Sequence, residues 1–384
     1  MHMHDWKKEA EDLLPMMIDL RRQFHAHPEL GNHEQETDRR IEHVLDDLDI
    51  PHTRICGTGI TGTIGAGKPC VLLRADIDAL PIKEETQLPY ASCHEGIMHA
   101  CGHDLHMAAL LGALAILKKH EDWYTGSVRF VFQPDEEGDG GAQRMIQAGV
   151  LDGVSAVFGL HCDPTLPAGT IGYKPGGFYA AAATFDVTVN GQGCHGAQPE
   201  KGTDSLYAAA RMCCALKEMT QGEGENRQVV TIGSLHGGNV RNVIPSSASF
   251  AGIIRVCSTA KRKQLMQEAQ QKIQNIASEL SVQAEIHMHE GYPGVVNSRK
   301  ETQLVQKTAE TLLGKDHCIQ EEAVMTTEDF GCYLLERPGS FYHLGTGIGP
   351  GLHSPLFCPN ENSLAIGAMM HAAIVEAYGK EQKQ

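Results

Sequence analysis

A chain of 384 residues is more than one hydrophobic core comfortably serves, so two domains, or one large domain carrying an insertion, are expected. Apolar residues at 41% can build such cores, and 21% charged residues with only 17 prolines argue against disorder. The formal net charge of −16 offers no basic stripe to neutralise phosphates, which argues against nucleic acid and anionic membrane partners and favours a small-molecule or peptide substrate.

The opening MHMHDWKKEAEDLL has no apolar stretch of signal-peptide length, and no run of about 18 apolar residues occurs in the chain. Twelve cysteines without regular spacing read as reduced thiols, so a cytoplasmic protein is expected. In chain order, a first helix is predicted to about Glu29, with apolar positions at Leu13, Leu14, Met17, Ile18, Leu20 and Phe24; Pro15 weakens its early part. Short β-type runs follow in GTIGAG (62–67), PCVLLRADIDA (69–79), SVRFVFQ (127–133) and SAVFGLH (155–161). Between them DLHMAALLGALAILKKH is apolar all round, which predicts a buried helix packed on a sheet. Alternating strands and helices indicate an α/β fold.

From about Ala183 the pattern becomes TFDVTVN (strand), DSLYAAARMCCALKEM (helix), RQVVTIGSLHGG and SSASFAGIIRV (strands), KRKQLMQEAQQKIQNIASEL (helix) and VQAEIHMH (strand). That βαββαβ order predicts a ferredoxin-like unit of about 110 residues. After EGYPGVVNS the α/β pattern resumes with the strand SFYHLG and the closing helix SLAIGAMMHAAIVEAYG. Residues 1–182 and 293–384 are therefore expected to form one α/β domain, interrupted by an inserted domain at 183–292.

The hexapeptide HACGHD (99–104) crowds ligand-type side chains. Cys101 and His103, two apart on a loop before the buried helix, can converge on one ion of the zinc, nickel, cobalt or manganese type, zinc being the commonest for such ligands. The helix N-terminus just beyond favours the thiolate form. Asp104 reads either as a helix N-cap or as an acceptor for an imidazole N–H. Further ligand-type residues recur at strand ends: Asp76 and Asp78 on one face of a strand, Asp135, Glu136 and Glu137 after another, His161 closing a third, and His353 after a glycine-rich loop. Sites in open α/β sheets form at the carboxyl ends of strands, so these segments can meet. Adjacent Glu136 and Glu137 suggest a division of labour, one ligand and one base, with two divalent cations offsetting the carboxylate repulsion. A solvated acidic turn is the plainer reading of that pair. His25 and His27 also stand at ligand spacing but end a helix and read as structural. GTGIGPG (345–351) only superficially resembles a dinucleotide loop, and no GxSxG elbow exists.

Taken together, HPELG, RADIDALPI, MHACGHD, FQPDEEG, GLH, GCHGAQPEKGTD, GGNVRNVIP, TTEDFG and HSP resemble, over nearly the whole chain, the di-metal amidohydrolases of the aminoacylase and hippurate hydrolase type, relatives of the co-catalytic zinc carboxypeptidases. The resemblance implies a zinc-carboxypeptidase-like catalytic domain interrupted by a lid. It implies that Cys101, His103, Glu137, His161 and His353 bind two divalent cations, whether Zn, Mn, Co or Ni, and that Glu136 is the general base and then the proton donor. Asp78 lies where relatives keep an aspartate that orients a metal-side group. Asp76 matches a metal-binding histidine of the carboxypeptidase branch, which implies the cysteine-containing ligand set here. His195 resembles the lid histidine that reaches the scissile carbonyl and stabilises oxyanion charge, although Cys194 replaces the usual preceding glycine. Asn242 and Arg255 resemble substrate-contacting lid residues, with Asn242 alternatively shaping a turn and Arg255 alternatively an edge-facing strand residue.

The activity implied is hydrolysis of N-acyl-L-amino acids, as in hippurate hydrolases, N-acetyl-diaminopimelate deacetylases and N-acetylcysteine deacetylases. The competing readings are a dipeptidase or carboxypeptidase-like enzyme on the same scaffold, and a non-catalytic binding protein that retains a metal site. An exposed edge of the inserted sheet is available to pair two lids as a homodimer.

Overall fold

The computed structural model describes residues 4–383. The chain forms two compact units: one holds the residues up to Gly176, Asn297–Glu321 and Cys332 onwards, the other Gly177–Val296 and Glu322–Gly331. The second unit begins a few residues before the sequence boundary at 183, ends a few after 292 and recruits a later segment. Hydrogen bonds explain why. Buried Arg262 donates through Nη1 to the carbonyls of Ala182, Gly291 and Tyr292, and Val324 N–H and Ala180 N–H pair with Phe178 O and Thr326 O at 2.8 and 3.0 Å.

The first unit is built on an eight-stranded sheet in the order His52–Ile55, Gly59–Gly65, Ser127–Gln133, Cys70–Asp76, Ala156–Asp163, Gly339–Gly345, Ile171–Tyr173, Cys318–Gln320. Its four central strands, Ser127–Gln133 to Gly339–Gly345, run parallel, so their carboxyl ends share one edge. Two of them, Cys70–Asp76 and Gly339–Gly345, are buried along their whole length, as parallel strands covered on both faces must be. The helix His103–Lys119 is buried at every position from His103 to Leu117 and packs between Trp6–Ala26 and Ser363–Glu381. Close packing is enforced by small residues: a Cβ at Gly112 would collide with Met17 Sδ. Each fully buried leucine or isoleucine on this helix contributes roughly 1.5–3 kcal/mol of burial free energy.

The first helix stops at Ala26 rather than Glu29. Pro28 disfavours helical backbone at His27, which leaves the helix at φ −128°. Pro15 is accommodated inside the helix.

The second unit contains a four-stranded antiparallel sheet ordered Gln228–Gly237, Ser247–Val256, Ala181–Asn190, Gln283–Glu290. With helices Ser205–Lys217 and Thr259–Glu279 this is the ferredoxin-like βαββαβ arrangement expected from the sequence. Along Ala181–Asn190, Ala183, Phe185, Val187 and Val189 are buried while Thr184 and Asp186 face outward, the two-residue period of a sheet with one covered face.

Candidate metal centre

The carboxyl ends of the central strands supply most of the centre. Ser127–Gln133 leads through Pro134 into Asp135, Glu136 and Glu137, and Ala156–Asp163 carries His161 close to its end. The strand Cys70–Asp76 ends at Asp76, so Asp78 lies on the loop beyond it instead of on the same strand face. Both aspartates nevertheless face one imidazole: His103 Nε2 is 3.5 Å from Asp76 Oδ2, and His103 Nδ1 is 3.3 Å from Asp78 Oδ1. Cys101 and His103 flank Gly102, whose φ of +83° and close approach to Cys162 Sγ leave no room for a side chain.

Ligand-type atoms of Cys101, His103 and His161 lie within 4.8 Å of one another, as do those of Cys101, Glu137 and His353. Cys101 is common to both triplets. Its Sγ is 3.4 Å from His161 Nε2, and Glu137 Oε1 is 3.2 Å from His353 Nε2 and 3.9 Å from His103 Nε2. His103 Nε2 and Glu137 Oε1 are buried without a hydrogen-bond partner, an arrangement that costs stability unless a cation occupies the gap. The rings are oriented for that. His103 Nδ1–H donates to Asp78 O at 2.9 Å and His161 Nδ1–H to Cys162 O at 2.8 Å, which leaves each Nε2 as the nitrogen that faces the cluster. Two soft or borderline triplets sharing a sulfur are suited to a pair of divalent transition-metal ions.

Electrostatics agree with a cation-shaped gap. Burial opposes charge on His103, but Asp76, Asp78 and Glu137 outweigh it and push the imidazole up to about 10. Burial, then His106 and His103, hold His161 neutral. Burial also raises Glu137, yet His353 and His103 bring it below its ordinary value. The expectation of a helix-stabilised thiolate at Cys101 does not hold for the cation-free chain. Burial and the carboxylates of Glu137 and Glu136 raise the thiol well above its usual range, so a cation must displace the proton.

The acidic run divides three ways. Asp135 is structural, bonded to Arg144 Nη2 at 2.9 Å while its N–H reaches Glu34 Oε1 at 3.0 Å. Glu136 is buried, 6% exposed, and acts electrostatically on Cys101. Glu137 points to the histidines, and its backbone N–H is held by Asp78 Oδ2 at 2.9 Å. Asp78 therefore touches two of the expected ligand residues.

Asp104 is not the helix N-cap, but it does accept an imidazole N–H. Gly102 occupies the N-cap, and the Asp104 carboxylate accepts from Arg21 Nε at 2.7 Å and from His25 Nδ1 at 2.8 Å, so the imidazole it binds is one outside the ligand set. Sequence reasoning passed over His106, one turn beyond His103 on the same helix. Cys162 N–H donates to its Nε2 at 2.8 Å, so Nδ1 carries the proton that goes to Asp76 Oδ1 at 2.6 Å, and Arg74 Nη1 holds the other oxygen at 2.6 Å. The i, i+3 spacing from His103 was the available signal. GTGIGPG leads from the strand Gly339–Gly345 into irregular chain, with no helix before Ser363.

In the second unit, Cys194 and His195 form a short antiparallel pair with Val243 and Ile244. Cys194 is in extended backbone with no positive φ, so the position does not require a glycine. Ala197 N–H donates to His195 Nδ1 at 3.1 Å, which places the ring proton on exposed Nε2. Asn242 is exposed beside this pair, its carbonyl accepting from Gly196 N–H at 2.8 Å. Arg255 Nη1 donates to Met325 O at 2.6 Å, and its buried Nε has no partner.

The family model for peptidase family M20/M25/M40 matches residues 72–377. The chain belongs to this family. It is 38% identical over 353 residues to N-acetyl-L-cysteine deacetylase of Bacillus subtilis, covering 91% of this chain and 84% of that protein. It is 36% identical over 388 residues to IAA-amino acid hydrolase ILR1-like 4 of Arabidopsis thaliana, covering 98% and 88%. Among solved structures, the YXEP protein of Bacillus subtilis, described as a dinuclear metal-binding peptidase of the M20 family, superposes with a TM-score of 0.87 at 32% identity, covering 96% of this chain and 99% of that one. The M20 fold, with its catalytic domain and inserted lid domain, is thus the fold of this chain.

Proposed function

We propose that this M20 member hydrolyses the amide bond of N-acyl-L-amino acids, releasing a carboxylic acid and the free amino acid, with two divalent cations held by Cys101, His103, Glu137, His161 and His353. The observation that carries this reading is the pair of ligand triplets sharing Cys101, with Glu136 buried beside it and next to Glu137 in the chain. Relatives named as a deacetylase of an N-acetyl amino acid and as a hydrolase of amino-acid conjugates support the substrate class.

When bound, the cations supply Lewis-acid polarisation of the scissile carbonyl and acidify water. Glu136 takes the proton of the attacking water on its carboxylate and returns it to the departing amine nitrogen, so no proton is gained or lost over the cycle. Asp78 fixes His103 through its carbonyl and Glu137 through its carboxylate. His195, with its proton on exposed Nε2, donates to the developing oxyanion. Asn242 and Arg255 hold the substrate. Because Arg255 Nη1 is committed to Met325 O, its carboxylate-binding role rests on the remaining guanidinium N–H groups.

The reading extends to a cytoplasmic protein. Its support is twelve free cysteines and the absence, among the described residues, of any helix long and apolar enough to cross a membrane. It extends also to a homodimer through the lid sheet, supported by the outer strand Gln228–Gly237, which has no further strand on its far side among the described residues and exposes Leu235.

Purified protein reconstituted with Zn²⁺, Mn²⁺, Co²⁺ or Ni²⁺ and assayed on N-acetyl amino acids, hippurate and dipeptides tests the reading. Release of free amino acid from N-acyl substrates supports it. A preference for dipeptides would favour the peptidase alternative, and no turnover with metal loaded would favour a binding protein.

A further inference from the structure

Away from the centre described above, three segments of the first unit bring two imidazoles and a carboxylate together. His27 follows the first helix, Glu36 lies in the first turn of the helix Gln35–Asp47, and His94 lies on the loop that leads into His99–Asp104. One ligand atom from each lies within 4.8 Å of the other two, and the two rings are 5.9 Å apart at 74°.

The backbone fixes all three. Cys93 N–H donates to Ala26 O at 2.8 Å, which sets His94 beside His27. Glu36 N–H and Thr37 N–H both donate to Glu29 Oε2 at 2.8 Å, which anchors the start of the second helix. His94 Nδ1–H donates to Pro28 O at 2.8 Å, so its Nε2 keeps the lone pair, the orientation that metal-binding histidines usually receive from a carbonyl. His25, two residues before His27, turns inward instead, to Asp104 and Glu84 at 2.8 and 3.2 Å. The two histidines of HAHPELG thus serve different purposes. His25 belongs to a buried ion network, whereas His27 is half-buried and reaches the surface.

We propose that His27, Glu36 and His94 form a third cation site, separate from the two-cation centre and selective for a divalent transition metal. Two imidazoles and one carboxylate are a zinc-type donor set, with water completing the coordination, and they discriminate against Mg²⁺ and Ca²⁺, which prefer oxygen-only shells. Glu36 is exposed and both histidines are half-buried, so the ion exchanges with solvent more readily than one bound at Cys101. An ion here ties the loop carrying His94 to the first two helices, and by linkage it raises the melting temperature.

The test is a Zn²⁺ titration of full-length protein whose two-cation centre is already filled, read by competition with a chromogenic chelator and by elemental analysis after gel filtration. A parallel titration with Co²⁺ is read by its visible absorption. Wild type should take up one further equivalent per chain. H27A/H94A should lose that equivalent while keeping the other metal and wild-type turnover, and E36Q should weaken it. H2A/H4A, which controls for the N-terminal histidines, should keep it. No further equivalent in wild type, its survival in H27A/H94A, or its loss only in H2A/H4A would each overturn the proposal.

Discussion

Replacing Asp78 by Asn separates an orienting role from a merely structural one. Asp78 Oδ2 accepts Glu137 N–H at 2.9 Å and Oδ1 lies 3.3 Å from His103 Nδ1, while its main-chain carbonyl already accepts the Nδ1 proton at 2.9 Å. An asparagine oxygen can keep one of the two side-chain contacts, but its NH₂ then opposes a donor. The carbonyl contact survives, so His103 keeps its tautomer and binding weakens without being abolished. Loss of a hydrogen bond to a charged group is worth about 1.5–3 kcal/mol. At about 1.4 kcal/mol per factor of ten, that corresponds to metal affinity falling roughly 10–100-fold, the range found when partners of metal ligands are removed. Affinity is measured by chelator competition on the variant and wild type at one pH, with urea denaturation of the metal-free forms alongside. Unchanged affinity together with a lower denaturation midpoint would refute the reasoning and leave Asp78 a structural residue.

Glu136→Gln should retain both cations by elemental analysis while turnover of an N-acetyl amino acid falls about 10²–10⁴-fold, the usual size of a lost acid–base contribution. His195→Ala should likewise keep metal, with kcat reduced about 10²–10³-fold in steady-state assays, as for a lost oxyanion donor. Metal loading should strengthen as pH rises in equilibrium dialysis, because Cys101 is raised and His103 stands at about 10 in the cation-free chain, so both bind protons that the cation must displace; loading independent of pH would contradict this. Arg21→Ala should destabilise the protein by about 3–5 kcal/mol in urea unfolding, since it strips the guanidinium from the fully buried carboxylate of Asp104.

Much of the architecture was legible because its signals are local. The apolar helix after HACGHD, the parallel-strand runs and the βαββαβ order follow from periodicity alone, and the grouping of ligand residues at strand ends follows from the topology of parallel sheets. Less legible were the helices Gln35–Asp47 and Arg299–Leu313, whose polar faces hide a narrow buried stripe: Thr37, Asp38, Ile41 and Leu45 in the first, Leu304, Val305, Thr308 and Ala309 among others in the second. The same holds for the centre. Side-chain identity suggested which residues bind metal. It could not reveal that Asp104 pairs with Arg21, 83 positions away, or that Asp76 is gripped by Arg74 and His106, since such pairings exist only once distant segments pack. The protonation of Cys101 was hidden for a related reason. A helix N-terminus is visible in a sequence, whereas full burial against Glu136 and Glu137, which raises the thiol, is a tertiary property.

Anomalous diffraction from crystals of the zinc-loaded protein, recorded on both sides of the zinc absorption edge, addresses the shared-cysteine centre most directly. Two peaks are predicted, both within bonding distance of Cys101 Sγ, one contacting His103 or His161 and the other Glu137 and His353, with Glu136 coordinating neither. A single peak, or two peaks with no sulfur between them, would contradict it.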